Sequence, residues 1–253
     1  MTDKKIVFLS HISEERELAV HFKSLIEDSF LDLIDVFVSS DDRSIGLGQK
    51  WLDDITHALN VCTVELVLCS PVSVKRPWIN FEAGAGWIRG IPVVPLCHSG
   101  MEPGKLPIPL NLLQAAKLTE TSSLKLVFPV LANALGSRTP TVDFSAFIQN
   151  AVDFEKKYTF WNSCNSAFQV INNINPQIID DLRNQNVVSL DLVDVQIAEL
   201  ERVCQFLQSE NILMFKRIGH QTIGPSGVLF GCEIQPLPKL STTFKDTHFI
   251  FHK

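Results

Sequence analysis

Residues 63–90 read "TVELVLCSPVSVKRPWINFEAGAGWIRG" and contain the change of pattern that decides the fold. The first part, 63–70, is a short continuous apolar run, which is typical of a strand buried on both faces. The second part, 77–90, begins with Pro77, a residue favoured in the first turn of a helix. A buried strand followed by a helix indicates a parallel sheet that is covered by helices.

The same alternation continues on both sides of this segment, from residue 6 to about residue 135. The remaining predicted strands are 6–10, 34–40, 91–97 and 112–119, and the remaining predicted helices are 13–28, 46–60 and 122–135. Five strands in this order predict an α/β domain with a flavodoxin-like five-stranded parallel sheet.

The pattern changes after "GSRTPT" (136–141), which predicts a domain boundary and hence domains 1–138 and 139–253. Helical patterns at 144–158, 166–174, 176–185 and 194–209 precede two strand-like runs at 212–218 and 228–234, which turn residues connect. This order predicts a smaller α+β domain, and a winged-helix-like arrangement is one interpretation of it.

Composition and charge exclude several functional classes. The formal net charge is -6, and each predicted domain carries about half of it, so neither offers the basic face that nucleic acid requires. The segment 191–210, which would face DNA in a winged helix, holds five acidic residues and only Arg202 as a basic one. We therefore expect no direct binding of nucleic acid.

The cysteine spacing and the hydropathy indicate where the protein works. The six cysteines are spread singly, with no C-x-x-C pair, which argues against a zinc site or a disulfide framework and favours buried thiols in a reducing compartment. No uncharged stretch approaches the length of a membrane span, and the first residues do not resemble a signal peptide. We expect a cytoplasmic protein without a metal or a membrane.

Polar residues follow the predicted strands at their carboxyl ends, where ligands bind in open parallel sheets. The helix that begins at Pro77 follows the third strand, so its first turns face the same edge. No G-x-G-x-x-G follows the first strand, which argues against a Rossmann dinucleotide site, and we expect no bound cofactor. The candidate substrate-binding residues at this edge are Ser10, His11, Ser39, Asp41 and Ser70.

Glu82 is the single carboxylate in the apolar helix 77–90. Trp78 and Glu82 are four residues apart and share a helix face, whereas Trp87 lies on the other side and is predicted to be a core residue. An acid near a helix N-terminus can be a purely structural feature. However, Gly84 and Gly86 each cost roughly 1 kcal/mol relative to alanine, which suggests close approach of another group. The pattern supports both interpretations equally.

Three segments resemble a bacterial TIR (Toll/interleukin-1 receptor) domain over roughly residues 4–135: "IVFLSHISEE", "FVSSDDRSIGLGQKWLDDI" and "SPVSVKRPWINFEAGAGW". The most specific part is the W-x-x-x-E motif of Trp78 and Glu82. The resemblance implies hydrolysis of NAD+ as a substrate, with Glu82 as the catalytic residue and Trp78 in the active site. At the corner after the first strand, animal relatives often carry an aromatic-basic pair, and this chain has Ser10 and His11 instead.

The segment "SSDDRSIGLGQK" (39–50) resembles the BB loop of the family, through which TIR domains associate with one another. The resemblance implies a self-association site at Arg43, Ser44, Ile45 and Gly46, with Arg43 also near the substrate. It further implies an effector of bacterial innate immunity and anti-phage defence. Self-association, or a protein or small signal bound by the C-terminal domain, would activate it. The alternative is a non-enzymatic TIR scaffold, and the sequence leaves open whether the product is linear or cyclic ADP-ribose.

Overall fold

The computed structural model describes residues 4–38, 49–224 and 227–244. The chain divides into two compact units, Met1–Tyr158 and Thr159–Lys253, which are described separately below.

The first unit is built around a parallel sheet of five strands. The strands are β1 (Lys5–Ser10), β2 (Ile34–Val38), β3 (Val64–Cys69), β4 (Val93–Cys97) and β5 (Ala116–Lys117). The helices are α1 (Arg16–Ser29), α2 (Gln49–Val61), α3 (Pro77–Ile88), α4 (Thr121–Leu135) and the first part of α5 (Ser145–Ile174). The strand order β2-β1-β3-β4-β5, with every pair parallel, confirms the predicted flavodoxin-like sheet.

The central strand β3 is buried along its whole length, as its continuous apolar run predicts. Alternate side chains of a strand point to opposite faces, and here Val64, Leu66 and Leu68 join the core beneath α1 and α4. Val67 packs instead in a hydrophobic cluster with residues of α3 on the other face. Glu65 therefore points from the middle of the sheet towards the α3 side.

The first part of α5 packs into the core of the first unit. Phe147, Ala151 and Tyr158 are buried in the same hydrophobic cluster as α1, and the ring of Phe147 lies 5.1 Å from that of Phe22. The first compact unit thus extends to Tyr158, beyond the domain boundary predicted after residue 138. The two helices predicted at 144–158 and 166–174 are one continuous helix, because no glycine or proline interrupts the chain between them.

The second unit combines helices with an antiparallel sheet. Besides the rest of α5 it contains α6 (Gln177–Arg183), β6 (Val188–Leu192), α7 (Asp194–Ser209), β7 (Leu213–Gly224), β8 (Gly227–Pro236) and α8 (Pro238–Thr243). The strand order is β6-β8-β7. This confirms the predicted smaller α+β region, in which a helix, α7, precedes a hairpin. The face of α7 that carries Ile197, Leu200, Cys204 and Leu207 is buried, as its periodicity predicts.

All six cysteines are buried as free thiols. Within the described ranges, no helix is long and apolar enough to cross a membrane. Those same ranges contain no group of three or more acidic, histidine or cysteine side chains that could hold a metal ion.

Candidate active site

Glu82 lies in the second turn of α3 and is completely buried. The Ser10 hydroxyl at the end of β1 donates a hydrogen bond of 2.5 Å to Oε2, and the Trp78 indole N–H donates one of 2.6 Å to Oε1. Hydrogen bonds to a carboxylate are stronger than those between neutral groups. Both oxygens of Glu82 are therefore held at the carboxyl edge of the sheet by two donors of different elements.

The helix that carries Glu82 also carries three aromatic rings, those of Trp78, Phe81 and Trp87. Trp78 is half-buried, and its ring stacks on that of Phe81 at a centroid distance of 5.2 Å. Phe81 itself is 59% exposed. The prediction that Trp87 is a core residue is wrong, since 49% of its surface is accessible. The buried stripe of α3 runs through Glu82 and Gly86, and the next residue points about 100° away from it.

A second buried acid, Glu15, lies in the short 3-10 helix Ser13–Glu15 before α1. Its Oε1 accepts hydrogen bonds from the hydroxyls of Ser70, at 2.6 Å, and Tyr158, at 3.3 Å. His98 Nε2 is 3.2 Å from the same oxygen, without the direction of a good hydrogen bond. Burial by itself would raise the pKa of Glu15, but His98, Ser70 and Ser73 together hold it below its usual value.

The Glu15 cluster is connected to the turn that leads from β3 into α3. The backbone N–H of Ser70 donates to the Ser73 hydroxyl at 2.7 Å, and the backbone N–H of Ser73 donates to the Ser70 hydroxyl at 3.0 Å. Because the Ser70 hydroxyl also donates to Glu15, the acid fixes the turn from which the helix with Glu82 begins.

His11 is buried beside this edge, and neither ring nitrogen has a hydrogen-bond partner among the described residues. Burial lowers its pKa to about 4, an effect that Glu15 opposes and Arg16 reinforces. The imidazole is therefore neutral at pH 7.

Of the predicted site residues, the structure brings Ser10, Trp78 and Glu82 into direct contact. Ser70 belongs to the Glu15 cluster. His11 is buried and directly follows Ser10, the last residue of β1. The other predicted residues, namely Ser39, Asp41, Arg43, Ser44, Ile45 and Gly46, lie outside the described residues.

Sequence reasoning missed a third buried acid, Glu65 of β3, although a charged residue inside a continuous apolar run was a readable signal. Neither carboxyl oxygen accepts a well-directed hydrogen bond from a described residue. A Cβ atom added at Gly86 would lie 2.0 Å from Oε2 of Glu65 and 2.8 Å from Cγ2 of Val93. The absence of a side chain at Gly86 therefore leaves room for this carboxyl group. At Gly84, by contrast, an added Cβ would meet nothing within 4 Å.

The comparisons with known proteins concern the first unit. Residues 7–128 match the family model of the TIR domain. Thirteen chains of solved structures match as well. One of them is described as "Structure of the activated Roq1 resistosome directly recognizing the pathogen effector XopQ (TIR domains)". It is 16% identical, covers 62% of this chain and 82% of its own, and has a TM-score of 0.31. No curated protein matches the chain.

Proposed function

We propose, from the premise that residues 7–128 form a TIR domain, that this protein hydrolyses NAD+ and releases nicotinamide, with Glu82 as the catalytic carboxylate. The observation that carries the proposal is the Glu82 site itself. The buried carboxyl group of Glu82 stands at the carboxyl edge of the parallel sheet, where Ser10 and Trp78 donate hydrogen bonds to it. NAD+ is the substrate in this proposal, and the reaction needs no further cofactor.

One carboxylate is enough for this reaction. The nicotinamide of NAD+ is a cation that takes the electron pair of the ribosyl C1–N bond and leaves as a neutral molecule. No general acid is needed, in contrast to the two carboxylates of ordinary glycosidases. The ribose is left with positive charge, water adds its oxygen to C1, and a proton is released. The required contribution of the protein is to stabilise that positive charge.

The geometry around Glu82 suits this requirement. A negative charge held in a buried site interacts with a ribosyl cation more strongly than a charge in water does. The donors Ser10 and Trp78 fix both carboxyl oxygens before the substrate arrives, so no reorganisation is needed during the reaction. The stacked rings of Trp78 and Phe81 provide an apolar wall that keeps bulk water away from the reacting carbon.

The direct test measures nicotinamide release from NAD+ by the purified protein and by the variant Glu82→Gln, which keeps the size of the side chain. We expect turnover to fall at least about 100-fold, because the amide cannot stabilise a cation. Glu14→Gln is the matched control, since Glu14 is an exposed acid of the same unit that pairs with Arg76 at the surface, and it should keep full turnover. Equal turnover of Glu82→Gln and the unchanged protein contradicts the proposal.

Self-association is the proposed mode of activation, with the segment around Arg43, Ser44, Ile45 and Gly46 of one copy completing the site of another. A protein or small signal that binds the second unit would promote it. Specific activity should therefore rise with protein concentration, and Arg43→Glu should lower it without lowering the melting temperature. Turnover that stays strictly proportional to concentration down to high dilution excludes activation by assembly.

The proposed setting is the bacterial cytoplasm, in innate immunity against phage. A non-enzymatic TIR scaffold is the second candidate, and the exposed apolar side chains of Phe81, Trp87 and Ile88 on α3 favour a protein contact. Challenge of bacteria that express the protein with phage separates the two. If the protein is an NAD+ hydrolase, Glu82→Gln abolishes both the protection from phage and the fall of cellular NAD+ on infection. If it is a scaffold, the variant still protects the bacteria.

A further inference from the structure

Tyr158 is the only tyrosine of the chain, and it lies on α5, a helix that begins beyond the segment matching the TIR family. Ala151, Phe154 and Tyr158 are spaced three or four residues apart, so they share one face of α5, and all three are buried in the core of the first unit. The ring of Tyr158 would serve this packing without its hydroxyl, as the ring of Phe154 does. The hydroxyl therefore needs another explanation.

The Tyr158 hydroxyl points into the buried cluster around Glu15. It donates to Oε1 of Glu15 at 3.3 Å, and the Ser70 hydroxyl donates to the same oxygen at 2.6 Å. The two hydroxyl oxygens are 3.1 Å apart, as their shared acceptor requires. A buried carboxylate is costly unless donors surround it, so the Tyr158 hydroxyl makes a contribution here that no apolar side chain could replace.

The same part of α5 makes a second polar contact at the carboxyl edge of the sheet. Oε1 of Glu155 accepts a hydrogen bond of 2.9 Å from the backbone N–H of Ser99, in the turn after β4. Ser99 has a φ of 51°, a left-handed conformation that is unfavourable without support from its surroundings. The helix α5 thus supports the turns that follow both β3 and β4, at the edge where Glu82 stands.

The Ser70 hydroxyl sets the geometry of the turn after β3. Because its hydrogen is directed to Glu15, its lone pairs are left for donors of the turn. It accepts hydrogen bonds from the backbone N–H groups of Val72, at 3.3 Å, and Ser73, at 3.0 Å. The 3-10 helix Ser73–Lys75 follows directly, and α3 begins two residues later, so the starting point of α3 depends on this turn.

We propose that Tyr158 is a positioning residue for the Glu82 site, because its hydroxyl helps to hold the Glu15–Ser70 contact from which the turn into α3 is built. The first turn of α3 carries Trp78, whose indole N–H donates to Glu82 at 2.6 Å. A shift at the start of the helix therefore moves both the donor and the acid, and a misplacement of about 1 Å can cost about 100-fold in rate. The inference rests on the proposed function and makes the reaction depend on a helix outside the TIR family match.

The activity test compares nicotinamide release by Tyr158→Phe and Phe147→Leu, well below the melting temperature of either variant. Tyr158→Phe keeps the ring and removes only the hydroxyl, so we expect kcat to fall about 10-fold or more, with a small decrease in melting temperature. Phe147→Leu is the control on the same helix, because Phe147 packs on Phe22 of α1 about three helical turns before Tyr158. It should lower the melting temperature more and keep kcat. Unchanged kcat in Tyr158→Phe, or equal falls in both variants, overturns the inference.

Hydrogen exchange provides a readout that does not depend on activity. The amides of Val72 and Ser73 are bound by the Ser70 hydroxyl, so peptides from the segment 70–82 should exchange faster in Tyr158→Phe than in Phe147→Leu or the unchanged protein. Equal exchange of these peptides in all three proteins overturns the inference. A protein that releases no nicotinamide refutes the proposed function, while the exchange measurement still decides whether Tyr158 holds this turn.

The single tyrosine also allows a direct test of its contact with Glu15. In ultraviolet resonance Raman spectra, the Fermi doublet of tyrosine reports how strongly the phenol hydroxyl donates, and here the doublet arises from Tyr158 alone. The unchanged protein should show a strong donor and folded Glu15→Gln a weaker one, because hydrogen bonds to an ionised acceptor are stronger. A doublet that is the same in both proteins overturns the inference.

Discussion

Glu15 and Glu65 are buried to the same degree in the same compact unit, and their surroundings are opposite. Glu15 has the hydroxyls of Ser70 and Tyr158 and the imidazole of His98 around one oxygen, and its pKa is lowered. Glu65 makes no well-directed hydrogen bond within the described residues, and burial raises its pKa to about 9 despite the nearby backbone N–H of Gly86. Burial alone therefore does not decide whether an acid is charged, because the donors around it do.

The difference follows from where each acid lies along the strands. At the carboxyl edge, β1 ends in Ser10 and Ser70 directly follows β3, and the hydroxyl of each donates to an acid. In the middle of β3 the neighbouring backbone groups are used in the sheet ladder, and the nearby side chains are apolar. Charge is thus held at the edge, where a substrate can meet it, and is suppressed inside the sheet.

The largest effect that would test this comparison is expected for Glu15→Gln. Removing the charge leaves His98, Ser70 and Tyr158 with a poor partner, and we expect a loss of about 3 kcal/mol in the free energy of unfolding at pH 7. Since the folded pKa of Glu15 is below its usual 4.5, its contribution is present above that pH and is lost as the pH falls. The deficit of Glu15→Gln should accordingly shrink below pH 4.5, as measured by urea denaturation.

The neighbouring acid is the matched control for that variant. Glu14 forms an exposed ion pair with Arg76 at 3.1 Å, and such pairs contribute about 0–1 kcal/mol. If Glu14→Gln and Glu15→Gln destabilise the protein equally, the cluster around Glu15 does not hold the charge as described.

A smaller loss is expected for Gly86→Ala. The added Cβ would lie 2.0 Å from Oε2 of Glu65, so the carboxyl group and α3 must move apart, which typically costs about 1–3 kcal/mol in a packed core. Adding Glu65→Ala should restore much of the stability by removing the clash, and thermal denaturation of the single and double variants measures this. Strict additivity of the two substitutions would show that Glu65 does not occupy the Gly86 space.

The smallest effect is expected for Gly84→Ala, and its sign is opposite. An added Cβ at Gly84 meets nothing within 4 Å, and alanine is favoured over glycine inside a helix by up to about 1 kcal/mol. The melting temperature should rise slightly, with nicotinamide release unchanged. A decrease comparable to that of Gly86→Ala would mean that α3 tolerates no side chain on this part of its surface.

These acids also show which parts of the fold and of the candidate site the sequence predicts and which it does not. Continuous apolar strands alternating with helices predict the parallel sheet and its order, and the four-residue spacing predicts that Trp78 and Glu82 share a face. Hydrogen bonds between distant segments have no such periodic signal. Glu15 and Tyr158 are 143 residues apart, and an acid at a helix start has the same pattern whether it points outwards or, as here, inwards from a 3-10 turn. The requirement for glycine at position 86 depends on the side chain of Glu65 in another element, so the local sequence pattern does not predict it either.

The six buried cysteines have a practical consequence. Burial raises the thiol pKa to about 12 in Cys97, Cys164 and Cys204 and to about 11 in Cys232, so few thiolates exist at neutral pH and reagents cannot reach them. Cysteines 62, 69 and 97 lie in the first compact unit, and cysteines 164, 204 and 232 lie in the second. Alkylation followed by peptide mapping thus records the opening rate of each unit separately, without any introduced label.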